Sequence, residues 1–88
     1  MFKVQRIENG GVVLAVIGQL QAGDVVELSA VLADEPRGKS LVLDLKNLVL
    51  ADRRAVHFLH QCEHRGIELR NCPGYVRAWI GKGVDLDD

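Results

Sequence analysis

One segment, residues 41–66, limits most strongly what this chain can fold into. Leu41–Asp44 opens it with three apolar residues and an aspartate, a run too short for a helix and typical of a buried strand. Asp52 follows a short predicted loop and is a suitable N-cap, because its carboxylate can accept hydrogen bonds from the first N–H groups of a helix. We expect that helix to cover about residues 53–64 and Gly66 to end it.

The N-terminal part of the chain predicts a strand hairpin. Phe2–Glu8 fits an edge strand, and Asn9–Gly11 is a strong turn signal because asparagine and glycine tolerate positive φ. Val12–Ile17 is an unbroken run of six apolar residues, which predicts a strand with two apolar faces at the centre of a sheet. We expect Gly18 to end that strand.

Two more helices and an outer strand follow the same principles. We expect a helix over about Gly23–Asp34 and a break at Glu35–Gly38. An alternating strand is expected at Ile67–Arg70. A last helix should begin at Cys72–Pro73 and end near Gly81. Each helix carries an apolar stripe at helical spacing. The stripes are Val25, Leu28, Val31 and Leu32; Ala55, Phe58, Leu59 and Cys62; and Val76, Trp79 and Ile80. This alternation predicts an α/β sheet domain.

Bulk properties exclude several classes of protein. The chain has 88 residues, of which 48% are hydrophobic, and this composition fits a single globular domain. Its net charge of −1 gives no general attraction to nucleic acid or anionic membranes. No apolar run approaches the roughly 20 residues that span a bilayer. Because strand pattern starts directly after Met1, we expect no signal peptide, a cytoplasmic location and reduced Cys62 and Cys72. Cys62 is predicted to be a core residue and not a redox switch.

Catalysis is not expected. The only serines are Ser29, inside a predicted helix, and Ser40, at a strand start, and the chain has no threonine. The paired glycines of Asn9–Gly11 belong to the predicted hairpin, so they do not form a phosphate-binding loop. An enzyme would need a nucleophile with its base, a metal or a phosphate cradle, and we therefore expect a protein without enzymatic activity or cofactor.

Three histidines form a stripe on the second predicted helix. His60 and His64 have the i, i+4 spacing that can chelate zinc or nickel, with His57 one turn earlier. The stripe lies on the face predicted to meet solvent, and no carboxylate stands among the candidate ligands, so we expect no bound metal. A small-ligand, anion or metal sensor using His60 and His64, or Arg53 and Arg54, is the alternative function.

Arg53 and Arg54 directly follow the predicted N-cap. Cations there face the positive end of the helix dipole, which costs about 0.3–1 kcal/mol per charge, and Asp52 offsets part of this. Two arginines in such a place favour a contact role. We predict a partner-binding surface formed by Asp52, Arg53, Arg54 and His57.

The segment Asp44–Ala55, Asp-Leu-Lys-Asn-Leu-Val-Leu-Ala-Asp-Arg-Arg-Ala, resembles the phospho-acceptor segment of STAS domains, the anti-sigma factor antagonist family. Gly18–Gln21, Gly-Gln-Leu-Gln, is similar to the family's Gly-Arg-Leu-Asp at the end of the second strand. The family continues from the aspartate that matches Asp52 as Ser-Ser-Gly, and its second serine is phosphorylated by a partner kinase. Arg54 occupies that position here.

The resemblance covers nearly the whole chain and implies its architecture. It implies a STAS-like domain over residues 1–82, with a four-stranded mixed sheet and three helices packed mainly on one side, and residues 83–88 form a predicted frayed acidic tail. A sheet covered on one side leaves one face of Val12–Ile17 exposed, and the opening hairpin or a second copy of the chain could cover it. We expect a homodimer.

In function, the resemblance implies a bacterial module for signalling or transcription regulation that works by protein–protein contact. Its partner is expected to be an anti-sigma factor or a kinase-like regulator. Because Arg54 replaces the serine, phosphorylation at that position is not expected to switch it.

Overall fold

In the computed structural model of the protein, the described residues are 2–8, 10–35 and 40–81. The elements in chain order are β1 (Phe2–Glu8), β2 (Val12–Leu20), α1 (Ala22–Ala33), β3 (Leu41–Asp44), β4 (Leu48–Ala51), α2 (Arg53–His64), β5 (Glu68–Arg70) and α3 (Gly74–Gly81). The tail predicted at 83–88, Asn9 of the predicted turn and residues 36–38 of the predicted break lie outside the described residues.

The long strand β2 lies at the centre of a mixed sheet. β1 pairs with it antiparallel along its whole length, from Phe2 opposite Gly18 to Glu8 opposite Val12. On its other side β2 pairs in parallel with β3 and then with β4, and β5 extends the sheet in parallel beyond β3. The α/β class and the central position of this strand are therefore confirmed.

The sheet has five strands, so the predicted number of four is wrong. β4 lies in the stretch predicted as a loop between β3 and α2. It finds a partner because β2 does not end at Gly18 but continues to Leu20, and the pairing register shifts after Gly18 so that Val49 of β4 is the extra residue. Gly18 adopts φ +98° there, a conformation that favours glycine, and it lies inside the strand instead of ending it.

The core lies on one face of this sheet. Alternate residues of β2, β3 and β5 form a single buried cluster with residues of all three helices. The sheet contributes Val12, Leu14, Val16, Leu20, Leu43 and Leu69, and the helices contribute Leu28, Ala55, Val56, Phe58, Leu59, Cys62 and Val76. The predicted stripes of α1 and α2 and the core position of Cys62 are confirmed. Trp79 is 37% exposed, so its assignment to the buried stripe of α3 is wrong.

Both ends of α2 follow local rules. The Asp52 carboxylate accepts the Ala55 N–H at 2.9 Å, so the predicted N-cap is confirmed. At the other end Gly66 adopts φ +92°, and the N–H groups of Gly66 and Ile67 donate to the carbonyls of Glu63 and Cys62, each at 3.1 Å. These two bonds form a Schellman motif, which satisfies carbonyls that would otherwise lack partners.

Candidate functional site

Asp52 connects the start of α2 to the start of α1 and to the end of β2 by hydrogen bonds. One carboxylate oxygen accepts the Ala55 N–H of its own helix, and the other accepts the Ala22 N–H at the start of α1, at 2.8 Å. Its backbone N–H donates to the Leu20 carbonyl at 3.1 Å, where β2 ends. A single side chain therefore holds the first turns of α1 and α2 side by side.

The first turn of α2 is positively charged at its surface. Arg53 and Arg54 are exposed, and this turn contains no acidic residue. One of its N–H groups, that of Ala55, is already occupied by Asp52. The turn therefore carries two guanidinium groups at the positive end of the helix dipole, where an anionic group of another molecule would be stabilised.

A groove of about 390 Å³ runs between α1 and α2, and we call it the α1–α2 groove. Its lining combines apolar residues of α1 with polar and charged residues of α2. The lining residues are Ala22, Val25, Val26, Arg54, His57, Phe58 and Gln61. Of the predicted site residues, the structure thus brings Arg54 and His57 into one groove. Asp52 and Arg53 are not among the residues that line it.

His57 differs from its predicted position on a solvent face. Its side chain is half-buried, and the Nδ1 atom is buried without a hydrogen-bond partner among the residues that the structure describes. Such a buried polar atom typically costs free energy unless a partner satisfies it. Position i+3 from Arg54 puts His57 on the same side of α2, which is why both reach the groove.

The other two histidines lie against each other further along α2. The ring centroids of His60 and His64 are 4.9 Å apart, with the planes tilted by 41°. Within residues 2–8, 10–35 and 40–81, no group of three histidine, cysteine, aspartate or glutamate side chains could hold a metal ion. The pair therefore has no third ligand in this part of the chain.

The two cysteines are free thiols in different surroundings. Cys62 is buried in the core, and this burial raises the pKa of its thiol from 9.0 to about 11. Cys72 is half-buried, and burial also raises the pKa of this thiol, against the opposing effect of Arg77. A thiol with a raised pKa stays protonated at neutral pH and is a weak nucleophile.

Val26 is the most exposed apolar residue of the groove, and the sequence analysis did not select it. It is 73% exposed, although it is a large apolar residue on a helix that packs against the core. Its place off the predicted stripe of α1, beside Val25, was the available signal. The bond between Asp52 and Ala22 had no such signal, because the two residues are 30 positions apart.

No protein-family model matches the chain, and a search of curated proteins finds no match either. Among the residues that the structure describes, no helix is both long and apolar enough to cross a membrane.

Proposed function

We propose that this chain is a STAS-like interaction module that binds a partner protein at the α1–α2 groove. The observation that carries the proposal is the grouping of Arg54, the half-buried His57 and the exposed Val26 in one groove beside the α2 N-terminus. An exposed apolar side chain next to a guanidinium group is a combination typical of protein contact surfaces.

The positions of the two STAS-like segments support this assignment. Gly18–Gln21 and Asp44–Ala55 are far apart in the sequence, yet Asp52 of the second segment accepts the Ala22 N–H directly after the first. The resemblance therefore involves residues that form one contiguous region. In the family this region includes the phosphorylated serine, and here the corresponding residue is Arg54.

The chemistry of the groove defines the partner surface. Arg54 favours a carboxylate, which it can bind with two parallel hydrogen bonds, and Val26 with Phe58 offers an apolar contact. The His57 Nδ1 atom is one further polar group that a partner could satisfy. The partner is thus a protein that presents an acidic side chain beside an apolar one, and by resemblance it is an anti-sigma factor or a kinase-like regulator in a bacterial cytoplasm.

Arg54 also determines how binding is regulated. A phosphoserine would bring a charge of about −1.5 to −2 at this position, whereas arginine brings a permanent charge of +1. The protein therefore cannot mimic the phosphorylated state of its relatives, and no kinase can switch it at this residue. The fraction of the protein bound to its partner is therefore set by the amount of partner or by changes elsewhere in either protein.

The test is a comparison of wild-type protein with Arg54→Glu. Proteins of the native host that bind the wild type are captured and purified, and their affinities are then measured by calorimetry. We expect Arg54→Glu to lower the affinity for the partner at least about ten-fold, which corresponds to about 1.4 kcal/mol of binding free energy. The control is Arg65→Glu, which makes the same charge change at the far end of α2. Equal affinity of the wild type and Arg54→Glu would reject the groove as the contact surface.

A further inference from the structure

The sheet has a second face that lies opposite the core, and we call it the open face. Residues paired in register carry their side chains on the same side, so the strand pairings define this face. It consists of Lys3, Gln5 and Ile7 on β1, Val13, Ala15 and Ile17 on β2, Val42 and Asp44 on β3, and Glu68 and Arg70 on β5.

Apolar residues form a continuous strip in the middle of the open face. One row across three strands contains Ile7, Val13 and Val42, and the strip continues along β2 through Ala15 and Ile17. These residues are outside the buried core cluster. Their exposure differs, because Val42 is only 8% exposed whereas Ile7 is 48% exposed. None of the helix residues in the described part of the core lies on this side.

The formal charges of the open face sum to zero, because Lys3 and Arg70 balance Asp44 and Glu68. Arg70 forms an ion pair with Glu68 at 3.3 Å. Asp44 accepts the Lys46 N–H at 3.0 Å and the Asn71 side-chain amide at 3.1 Å. An identical face brought up against this one would therefore meet apolar side chains at its centre and no excess of one charge.

We propose that a second copy of this chain covers the open face, so that two sheets stack face to face in a homodimer. Stacked sheets lie about 10 Å apart, close enough for side chains of the two faces to interdigitate. A cavity of about 430 Å³ beside Ile7, Val13 and Val42 offers room for side chains of the other copy.

The size of the open face sets the strength of this dimer. Strands about 4.8 Å apart with a rise of about 3.3 Å per residue give the face a flat area of about 400 Å². Two such faces bury about 800 Å², which is less than the roughly 1,200–2,000 Å² of a stable interface. An interface of this size is typical of weak association, so we expect a dissociation constant of about tens to hundreds of micromolar.

Sedimentation equilibrium from about 5 to about 500 μM tests the proposal, because this range spans the expected dissociation constant. The wild type should change from monomer to dimer. Val13→Lys, at the centre of the strip, and Ile7→Lys, at its exposed edge, should remain monomers. Val26→Lys, an equal charge change in the α1–α2 groove, should dimerise as the wild type does. Thermal melts identify any variant that fails to fold. If Val13→Lys does not fold, the oligomeric state of Ile7→Lys tests the proposal.

A wild type that stays monomeric up to about 500 μM would overturn the proposal, since even a weak dimer is populated there. Dimerisation that survives Ile7→Lys and Val13→Lys, or that is lost equally with Val26→Lys, would place the interface elsewhere and overturn it as well. Partner binding at the α1–α2 groove does not depend on the open face. Ile7→Lys should therefore bind the partner with unchanged affinity, which separates the two proposals.

Discussion

The first turns of α1 and α2 lie side by side, yet their charged residues have opposite signs. α1 carries Asp24 in its first turn, whose carboxylate accepts the Gln21 backbone N–H at 3.0 Å. α2 carries Arg53 and Arg54 there and no acid. An acid near a helix N-terminus is stabilising and a cation is destabilising, so α1 follows the rule for helix stability and α2 departs from it.

The difference indicates where the surface is shaped by something other than folding. Sequences generally agree with local preferences, and departures are expected at functional sites. The departure is tolerated because Asp52 caps α2 and because the opposite side of the helix is buried through Ala55, Val56 and Leu59. Stability thus comes from the N-cap and the core side of α2, which leaves Arg54 available for a partner.

The largest expected effect is the pH dependence of stability that results from burial of the Cys62 thiol on the core side of α2. The pKa of Cys62 is about 11 in the folded protein, above its ordinary value of 9.0. The buried thiol therefore adds stability at pH below 9, and this contribution is lost as the pH rises towards 11. Two pKa units correspond to about 3 kcal/mol.

Urea unfolding of the wild type and Cys62→Ala from pH 8 to 11 measures this loss. We expect the difference in unfolding free energy between the two proteins to fall as the pH rises, with the steepest change above pH 9. Taking this difference cancels titration of Cys72 and of the lysines, which both proteins share. A difference that stays constant over this range would show that burial of this thiol contributes no pH-dependent stability.

The next prediction separates the two hydrogen bonds of the Asp52 carboxylate. Asparagine keeps one acceptor oxygen, so Asp52→Asn can still cap α2 through Ala55 but cannot also accept from Ala22. We expect Asp52→Asn to cost about 1 kcal/mol and Asp52→Ala about 2 kcal/mol in urea unfolding. If both variants unfolded at the wild-type midpoint, Asp52 would not be what holds the two first turns together.

The smallest expected effect comes from removing the unfavourable charge itself. Arg54→Glu places an anion at the positive end of the dipole and should stabilise the isolated protein by about 0.3–1 kcal/mol. Arg65→Glu, at the negative end of the same helix, should destabilise it by a similar amount. Salt should reduce both shifts of the melting temperature. Shifts of the same sign for the two variants would contradict the dipole explanation.

Most of the fold could be predicted from local pattern alone. The bounds of β1, β3 and α2 match the prediction, because each has its own periodicity or cap in the sequence. β4 was missed because a four-residue apolar stretch becomes a strand only when a partner is present. That partner is the end of β2 from Gly18 to Leu20, because the glycine does not end the strand.

The candidate site was predicted only in part, for a related reason. Arg54 and His57 were selected from the helix start, but their common groove depends on how α1 packs against α2. The exposure of Val26 and the burial of the His57 Nδ1 atom both result from this packing. The stripe of α1 could have indicated that Val26 is exposed, but no local pattern could indicate that the His57 Nδ1 atom is buried.

Two valines of nearly equal exposure provide the most direct test of the groove as a contact surface. Val26 is 73% exposed and lines the α1–α2 groove, whereas Val49 is 70% exposed and lies on β4, outside it. Val26→Asp and Val49→Asp make the same chemical change, and neither residue belongs to the core. We predict that Val26→Asp weakens the captured partner about ten-fold or more and that Val49→Asp leaves its affinity unchanged, as measured by calorimetry. Equal losses for the two variants, or a larger loss for Val49→Asp, would contradict binding at the α1–α2 groove.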